Sequence, residues 1–256
     1  MTFYAIGDVH GQLEKLIDVH TRISIDQLRH GTQSAPVVHL GDYVDRGPDV
    51  RATLDYLVSR QEREPEDIFI LGNHDRMMEA FLQPVCRPDP AREELFWLDR
   101  MIGGRSSLAS YGVDVSRMRR VGKIHQEARA KVPEAHLSFL RRLRPCFAAP
   151  GLYFCHAGVR PGIPLSQQNV DDLVWIRDAF LSDTRDHGAL IIHGHTPFDH
   201  VRHCGNRIGV DTGAGFGGPL SVIVLDGDLV FELTDQGRVL LPPPLTAVKA
   251  GASHAF

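Results

Sequence analysis

Five short apolar runs in this chain each stop at a small or polar residue rich in ligand atoms. They are Phe3-Tyr4-Ala5-Ile6 before Gly7-Asp8-Val9-His10, residues 37–40 before Gly41-Asp42, residues 68–71 before Gly72-Asn73-His74-Asp75, residues 152–155 before His156-Ala157-Gly158, and residues 190–192 before His193-Gly194-His195. Gly-Asp and Gly-Asn are ordinary turn dipeptides, so each alone reads as a solvated loop. Together they set hard and borderline metal ligands, and neither Lys nor Ser, just past the ends of several strands. The chemistry available to such a set is to hold divalent cations.

In an extended segment residues i and i+2 share a side, so Asp8 and His10 are expected to reach one ion from one strand end. A carboxylate with an imidazole suits Mn²⁺, Fe or Zn²⁺ better than Ca²⁺, which takes oxygen ligands throughout. In Gly41-Asp42-Tyr43-Val44-Asp45-Arg46-Gly47-Pro48, one Asp can bridge two ions while the other orients a histidine, and Arg46 can grip a phosphate with its planar fork. The plainer alternative is a local ion pair between Asp45 and Arg46, which stabilises little at a surface. Asn73 adds an amide oxygen beside His74. His193 and His195 are expected to share one strand face, and His195, following Gly194 at the strand mouth, is the better ligand. The remaining histidines, at 20, 30, 39, 125, 136, 187, 200, 203 and 254, read as ordinary surface or core residues.

Other phosphate chemistries lack their parts. Cys86 and Arg92 have the spacing of a cysteine nucleophile and its arginine, but Pro88 and Pro90 remove backbone donors and no glycine shapes a cradle. The chain has no Gly-rich loop ending in Lys-Ser or Lys-Thr and no G-x-G-x-x-G.

The elements that must position these residues alternate in the first half. Residues 12–29 and 50–63 carry apolar positions near helical spacing between the apolar runs, which predicts an α/β sheet. In the second half, residues 207–210, 220–225 and 228–233 read as strands joined by short turns, with Asp226-Gly227 as a hairpin signal. Two sheets packed face to face with helices outside are therefore expected. Residues 76–151 lack strand signals and read as a helical insertion with helices at 77–82, 93–102 and 135–143. Residues 1–241 are read as one domain, and the tail 242–256, opening on three prolines, as a flexible segment.

Bulk composition adds exclusions. The 256 residues are 43% hydrophobic and 23% charged with a formal net charge of −4, so nucleic acid and acidic membranes are not expected partners. No apolar stretch approaches the ~18 residues of a membrane span, and a cytoplasmic monomer is the default expectation. Cys86, Cys146, Cys155 and Cys204 stand singly, which fits reduced thiols.

The set Gly7-Asp8-x-His10-Gly11, Gly41-Asp42-x-Val44-Asp45-Arg46-Gly47, Gly72-Asn73-His74-Asp75, His156-Ala157-Gly158 and Gly194-His195-Thr196 resembles the phosphoprotein phosphatase family of calcineurin-like metallophosphoesterases, in particular its bacterial serine/threonine phosphatase members. The resemblance implies a four-layer αββα fold with two divalent ions, Mn foremost and Fe or Zn as alternatives. It implies Asp8, His10 and Asp42 around the first ion, and Asp42, Asn73, His156 and His195 around the second. His74 is implied as general acid oriented by Asp45, with Arg46 and Arg177 on the phosphoryl oxygens and Arg160 a third candidate. Pro197 stands where the wider superfamily has a further His; Asp75 and Ala157 depart from eukaryotic members.

The implied activity is hydrolysis of phosphate monoesters by in-line attack of metal-activated hydroxide, without a phosphoenzyme. Phosphoserine and phosphothreonine on proteins are the expected substrates, with phosphotyrosine or a small phosphate ester as possibilities. One alternative is a symmetrical diadenosine tetraphosphate hydrolase, which resembles this chain over Asp211-Thr212-Gly213 to Gly217-Gly218 but usually lacks the Asp at position 45. The other is a non-catalytic interaction module on the same fold.

Overall fold

A computed structural model describes residues 1–244 of the chain. The tail expected to be flexible lies, from residue 245 onward, outside the described residues. The first half runs β1 (Thr2–Ile6), α1 (Leu13–His30), β2 (Val37–His39), α2 (Val50–Arg63), β3 (Ile68–Phe69), α3 (Asn73–Leu82), α4 (Gly104–Ser110), α5 (Val121–Lys131) and α6 (Glu134–Arg141). The second runs β4 (Cys146–Ala149), β5 (Leu152–Cys155), α7 (Val170–Trp175), α8 (Asp178–Leu181), β6 (Leu190–His193), β7 (Arg202–His203), β8 (Arg207–Gly209), β9 (Val222–Asp226), β10 (Leu229–Thr234) and β11 (Gly237–Leu240).

Two mixed sheets result. The first has the order β11-β10-β9-β1-β2-β3 and the second β4-β5-β6-β8-β7. Within the first, β1, β2 and β3 are parallel; within the second, β5, β6 and β8 are parallel. The expected hairpin at Asp226-Gly227 joins β9 to β10.

Period-2 alternation explains the layering. In β1, Phe3 and Ala5 face the second sheet, where Phe154 of β5 and Ile192 of β6 meet them in a common core. Tyr4 and Ile6 face the other way, onto Leu16, Val19 and Ile23 of α1 and Leu54 and Leu57 of α2. On the second sheet, Tyr153, Cys155 and Ile191 pack under Leu173 of α7 and Phe180 of α8. The strands are thus apolar on both faces because each sheet is covered on both sides. α1 stops at Gly31, whose φ of 67° lets its N–H close on the Gln27 carbonyl.

Two expectations for residues 76–151 fail. The stretch 93–102 is not a helix: its hydrogen bonds run from Leu95 to Arg92, Asp99 to Phe96 and Ile102 to Asp99, a succession of turns that carries Trp97 and Leu98 inward. The segment also contains β4, antiparallel to β5 on the sheet edge. Pro145 and Pro150 bracket this strand, a placement that an edge tolerates. All four cysteines are free, as expected. Among the described residues no helix is long and apolar enough to cross a membrane.

Candidate metal centre

The loops that leave the C-terminal ends of the parallel strands of both sheets converge, and they carry the residues singled out by the sequence. Asp8 and His10 follow β1, Asp42, Asp45 and Arg46 follow β2, and Asn73 and His74 open α3 just after β3. His156 follows β5 and His195 follows β6. Every one of these except Arg46 is buried. Among the described residues, the non-glycine residues with positive φ are His10 (46°), Asp42 (52°), Asp45 (71°), Arg46 (65°) and His195 (64°). Left-handed backbone is disfavoured for side-chain-bearing residues, and its concentration here marks the place where conformational strain is held by surrounding structure.

Strand alternation, the basis for pairing His193 with His195 and Asp8 with His10, does not extend into this backbone. β6 ends at His193, and the left-handed turn at His195 separates the two histidines. The His193 ring packs edge-on against Phe180, 5.1 Å away, and burial pushes it down to about 4. The His195 ring turns instead toward His156, at 5.0 Å. Likewise β1 ends at Ile6, and Asp8 lies beside His195, whose backbone N–H donates to both carboxylate oxygens (3.1 and 3.0 Å). Gly194 is required there, since a Cβ would collide with the Asp8 carboxylate.

Asp42 is the hub. Its Oδ2 lies 3.4 Å from His156 Nε2, 3.6 Å from His10 Nε2 and 3.9 Å from His74 Nε2. Its Oδ1 accepts the His74 backbone N–H at 3.0 Å, at the N-terminus of α3 where a negative charge is favoured. Two overlapping groups could hold cations: His10, Asp42 and His74, and Asp42, His156 and His195, the potential ligand atoms of each lying within 4.8 Å of one another. Asn73 Oδ1 and His195 Nδ1 stand 3.0 and 3.2 Å from His156 Nε2. His10 and His156 each direct Nδ1 to a backbone carbonyl, of Val44 and Leu40, at 2.8 Å. Those carbonyls engage Nδ1 and leave Nε2 as the nitrogen of each ring that faces inward.

Electrostatics fit a cation. Burial, reinforced by Asp211 and Asp42, pushes the Asp8 carboxyl well above its usual range, and burial also raises Asp211. Burial drives His10 and His195 well down, toward the neutral form that ligates metals. Burial opposes charge on His156 too, but Asp42 and Asp8 outweigh it and raise the group to about 10. Asp42 moves the other way: burial favours its neutral form, yet His156 and His74 hold it well below the carboxylate range. Such crowded buried carboxylates favour a positive charge among them, which His156 takes up here and which divalent ions would supply.

Around the hub the remaining predicted residues separate. His74 Nδ1 lies 2.6 Å from Asp45 Oδ2. Asp45 also accepts the Trp97 indole N–H (2.9 and 3.1 Å) and the Ser107 hydroxyl (2.6 Å). Arg46 contacts His10 Nε2 and lies over the Phe216 ring, 4.5 Å from its centroid. Asp45 and Arg46 therefore turn to different partners instead of forming the local ion pair. Arg177 Nε donates to His195 Nε2 at 3.0 Å, beside the other ligand group. Arg160 does not join them: it is exposed at the surface, and its Nε donates to Asp172 at 2.7 Å.

Sequence reasoning assigned no role to several residues that shape this site. Asp75 accepts backbone N–H groups of Asp42 (2.8 Å), Tyr43 (2.9 Å) and Gly72 (3.0 Å), tying two ligand loops together. Trp175 donates to buried Asp89 at 3.1 Å and sets its ring edge-on to His195 at 5.9 Å. Arg76 clamps Asp89 through two 2.6 Å bonds and donates to Asp171 of α7 at 2.6 Å, joining the insertion to the segment that leads into Arg177. Both tryptophans of the chain aim an indole N–H at a buried aspartate, 52 and 86 residues away, a pairing that no local sequence signal marks. The Cys86 thiol is pushed up by burial and Arg92 lies over Trp175, in keeping with the exclusion of a cysteine nucleophile.

A profile of calcineurin-like phosphoesterases matches residues 1–231. The asymmetrical bis(5′-nucleosyl)-tetraphosphatase PrpE of Anoxybacillus flavithermus is 23% identical over 246 residues, covering 87% of this chain and 90% of that protein. The symmetrical bis(5′-nucleosyl)-tetraphosphatase of Neisseria meningitidis is 24% identical over 279 residues, covering 93% and 98%. Among solved structures, the cold-active protein tyrosine phosphatase of a psychrophilic Shewanella species superposes with a TM-score of 0.63 at 15% identity, over 94% of this chain and 80% of that one, which is a likeness of fold. With two mixed sheets, ligand-bearing strand ends and a match across nine-tenths of its length, the chain belongs to the calcineurin-like phosphoesterase family.

Proposed function

We propose that this protein is a dinuclear-metal-dependent hydrolase of dinucleoside tetraphosphates. The observation that carries the catalytic part is Asp42, shared between two buried ligand groups, with Arg46 at His10 of one and Arg177 at His195 of the other. Asp8, His10 and Asp42 would hold one ion and Asp42, Asn73, His156 and His195 the other, with Mn, Fe or Zn all compatible with the donor set. Divalent ions at such a site polarise phosphoryl oxygens and lower the pKa of water toward ~7. The chain's own residues do the rest. Arg46 and Arg177 bind phosphoryl oxygens from two sides, and His74, with Nδ1 held by Asp45, gives a proton from Nε2 to the departing oxygen. Asp42, Asp75 and the α3 N-terminus fix the geometry. The substrate class rests on the two tetraphosphatases, which are alike along nearly the whole chain. This departs from the protein phosphatase expected from the motifs alone.

A phosphoprotein phosphatase, acting on phosphoserine, phosphothreonine or phosphotyrosine, is the second reading, and the Asp45–His74 pair favours it. A monoester expels an alkoxide that needs a proton, whereas an oligophosphate chain leaves readily without one. Turnover of diadenosine tetraphosphate against a phosphopeptide panel, with each metal supplied in turn, separates the two. The proposal expects the dinucleotide to have the higher kcat/KM, with two ADP marking symmetrical and ATP plus AMP asymmetrical cleavage. Preference for phosphopeptides would reinstate the second reading.

A further inference from the structure

One cavity shares a wall with the proposed site. It measures about 640 Å³ and is lined by Arg46, Arg100, Arg105, Arg117, Met101 and Phe216, with Asp99 as its one acidic residue. Its charge is thus opposite to that of the protein as a whole, which carries −4. Another cavity of about 500 Å³, beside α1 and β10, is lined by Glu14, Asp18, Glu232 and Asp235 against Lys15 and Arg22, and has no such preference for anions.

Two features of the basic cavity call for a ligand with both an aromatic plane and several negative charges. Phe216 is 68% exposed and Met101 84%, although most large apolar side chains of this chain are buried. Arg46 covers one face of the Phe216 ring, so the exposed remainder can take a second planar partner. Arg105 is committed to the wall, donating to the carbonyls of Leu98 (3.1 Å) and Val115 (2.6 Å). Arg100 and Arg117 are exposed and make no ion pair or hydrogen bond through their side chains among the described residues.

We propose that this cavity is a nucleobase subsite: one base of a dinucleoside oligophosphate stacks on Phe216, and its phosphate chain runs past Arg46 into the metal centre, with Arg100 and Arg117 on the phosphates outside it. The assignment rests on the dinucleotide reading above and adds where the nucleoside sits. The volume falls within the range of small-molecule sites, roughly 300–1,000 Å³. Stacking on an aromatic face tolerates any base, so the subsite would select for a nucleoside over a peptide without choosing strongly among nucleosides. The loop that bears Phe216, between β8 and β9, and the 83–103 segment that bears Arg100 and Met101 form the two lips.

The test is steady-state kinetics of wild type, Phe216→Leu, Phe216→Trp and Arg117→Ala, with diadenosine tetraphosphate, inorganic tripolyphosphate and p-nitrophenyl phosphate as substrates. Because Phe216 touches Arg46, the readout is the KM for the dinucleotide relative to that for p-nitrophenyl phosphate, in which any effect through Arg46 cancels. Phe216→Leu should raise this ratio about tenfold, and Phe216→Trp should restore it. Arg117→Ala should raise KM for diadenosine tetraphosphate and tripolyphosphate alike and flatten their salt dependence, leaving p-nitrophenyl phosphate unchanged. A Phe216→Leu ratio equal to wild type would overturn the subsite while leaving the dinucleotide reading in place. Wild-type protein that hydrolyses p-nitrophenyl phosphate but not the dinucleotide would remove that reading, and the subsite with it.

Discussion

His74 Nδ1 lies 2.6 Å from Asp45 Oδ2 while the opposite nitrogen of the same ring faces Asp42 Oδ2 at 3.9 Å. One imidazole thus spans from an orienting carboxylate to the carboxylate at the centre of both ligand groups. Asp45 is fully buried and satisfied by Trp97 and Ser107, so its hold on the ring is rigid. An orienting carboxylate of this kind sets the tautomer, and the free nitrogen is then committed either to a proton or to a metal.

If that nitrogen carries the proton, His74→Asn should lower kcat by about 10²–10⁴-fold. The loss should grow with the pKa of the leaving group, so phosphoserine should suffer more than p-nitrophenyl phosphate. Equal losses across leaving groups would contradict the proton-donor role.

Removing the supports of Asp45 should act through His74. Trp97→Phe and Ser107→Ala should each cut kcat by about 10–100-fold, as is usual when partners of a site carboxylate are lost, without loss of metal. The loss should grow with the pKa of the leaving group, as it does for His74→Asn. Equal losses across leaving groups would reduce both residues to packing.

Asp8 should matter first for the ions. Wild-type protein with Mn²⁺ at ~100 times its Kd should gain about 2.7 kcal/mol over chelated protein. Asp8→Asn should lose most of the metal-dependent rise in Tm. A variant that kept the full rise would exclude Asp8 from the ligands.

Asp67 offers a check away from the centre. Burial works against its charge, but His39 and Arg60 outweigh burial, and its Oδ2 lies 2.5 Å from Arg60 Nε. Its folded pKa therefore sits below the unfolded value of about 3.9. Ionised Asp67 stabilises the fold above that pH, and the contribution is lost as pH falls through the lowered value. Denaturation curves of wild type and Asp67→Asn should differ at pH 7 and converge below about pH 4. A gap constant with pH would show that charge is not the cause.

The strand ends were legible because each couples a doubly apolar strand to a turn dipeptide, and both signals are local. All five apolar runs are strands, and the ligand-type residues after them do meet. Side-chain direction beyond the strands was not legible, because alternation stops where His10 and His195 enter left-handed backbone. Roles carried by long-range partners were hidden too: Trp97 and Ser107 reach Asp45 from 52 and 62 residues away. Residues 93–102 misled for a related reason. Their apolar spacing fits a helix, but Trp97 and Leu98 are buried side by side along a string of turns. Arg177 and Arg160 were separable only once Asp172 was seen to engage Arg160.

The central claim, that two ions share Asp42 while His74 stands beside them as a proton donor, is tested most directly by metal content per chain in wild type and His74→Asn after reconstitution. The account predicts two ions in each protein, with turnover lost only in the variant. A single ion in wild type would contradict it; so would loss of an ion in His74→Asn, which would make His74 a ligand in the group with His10 and Asp42.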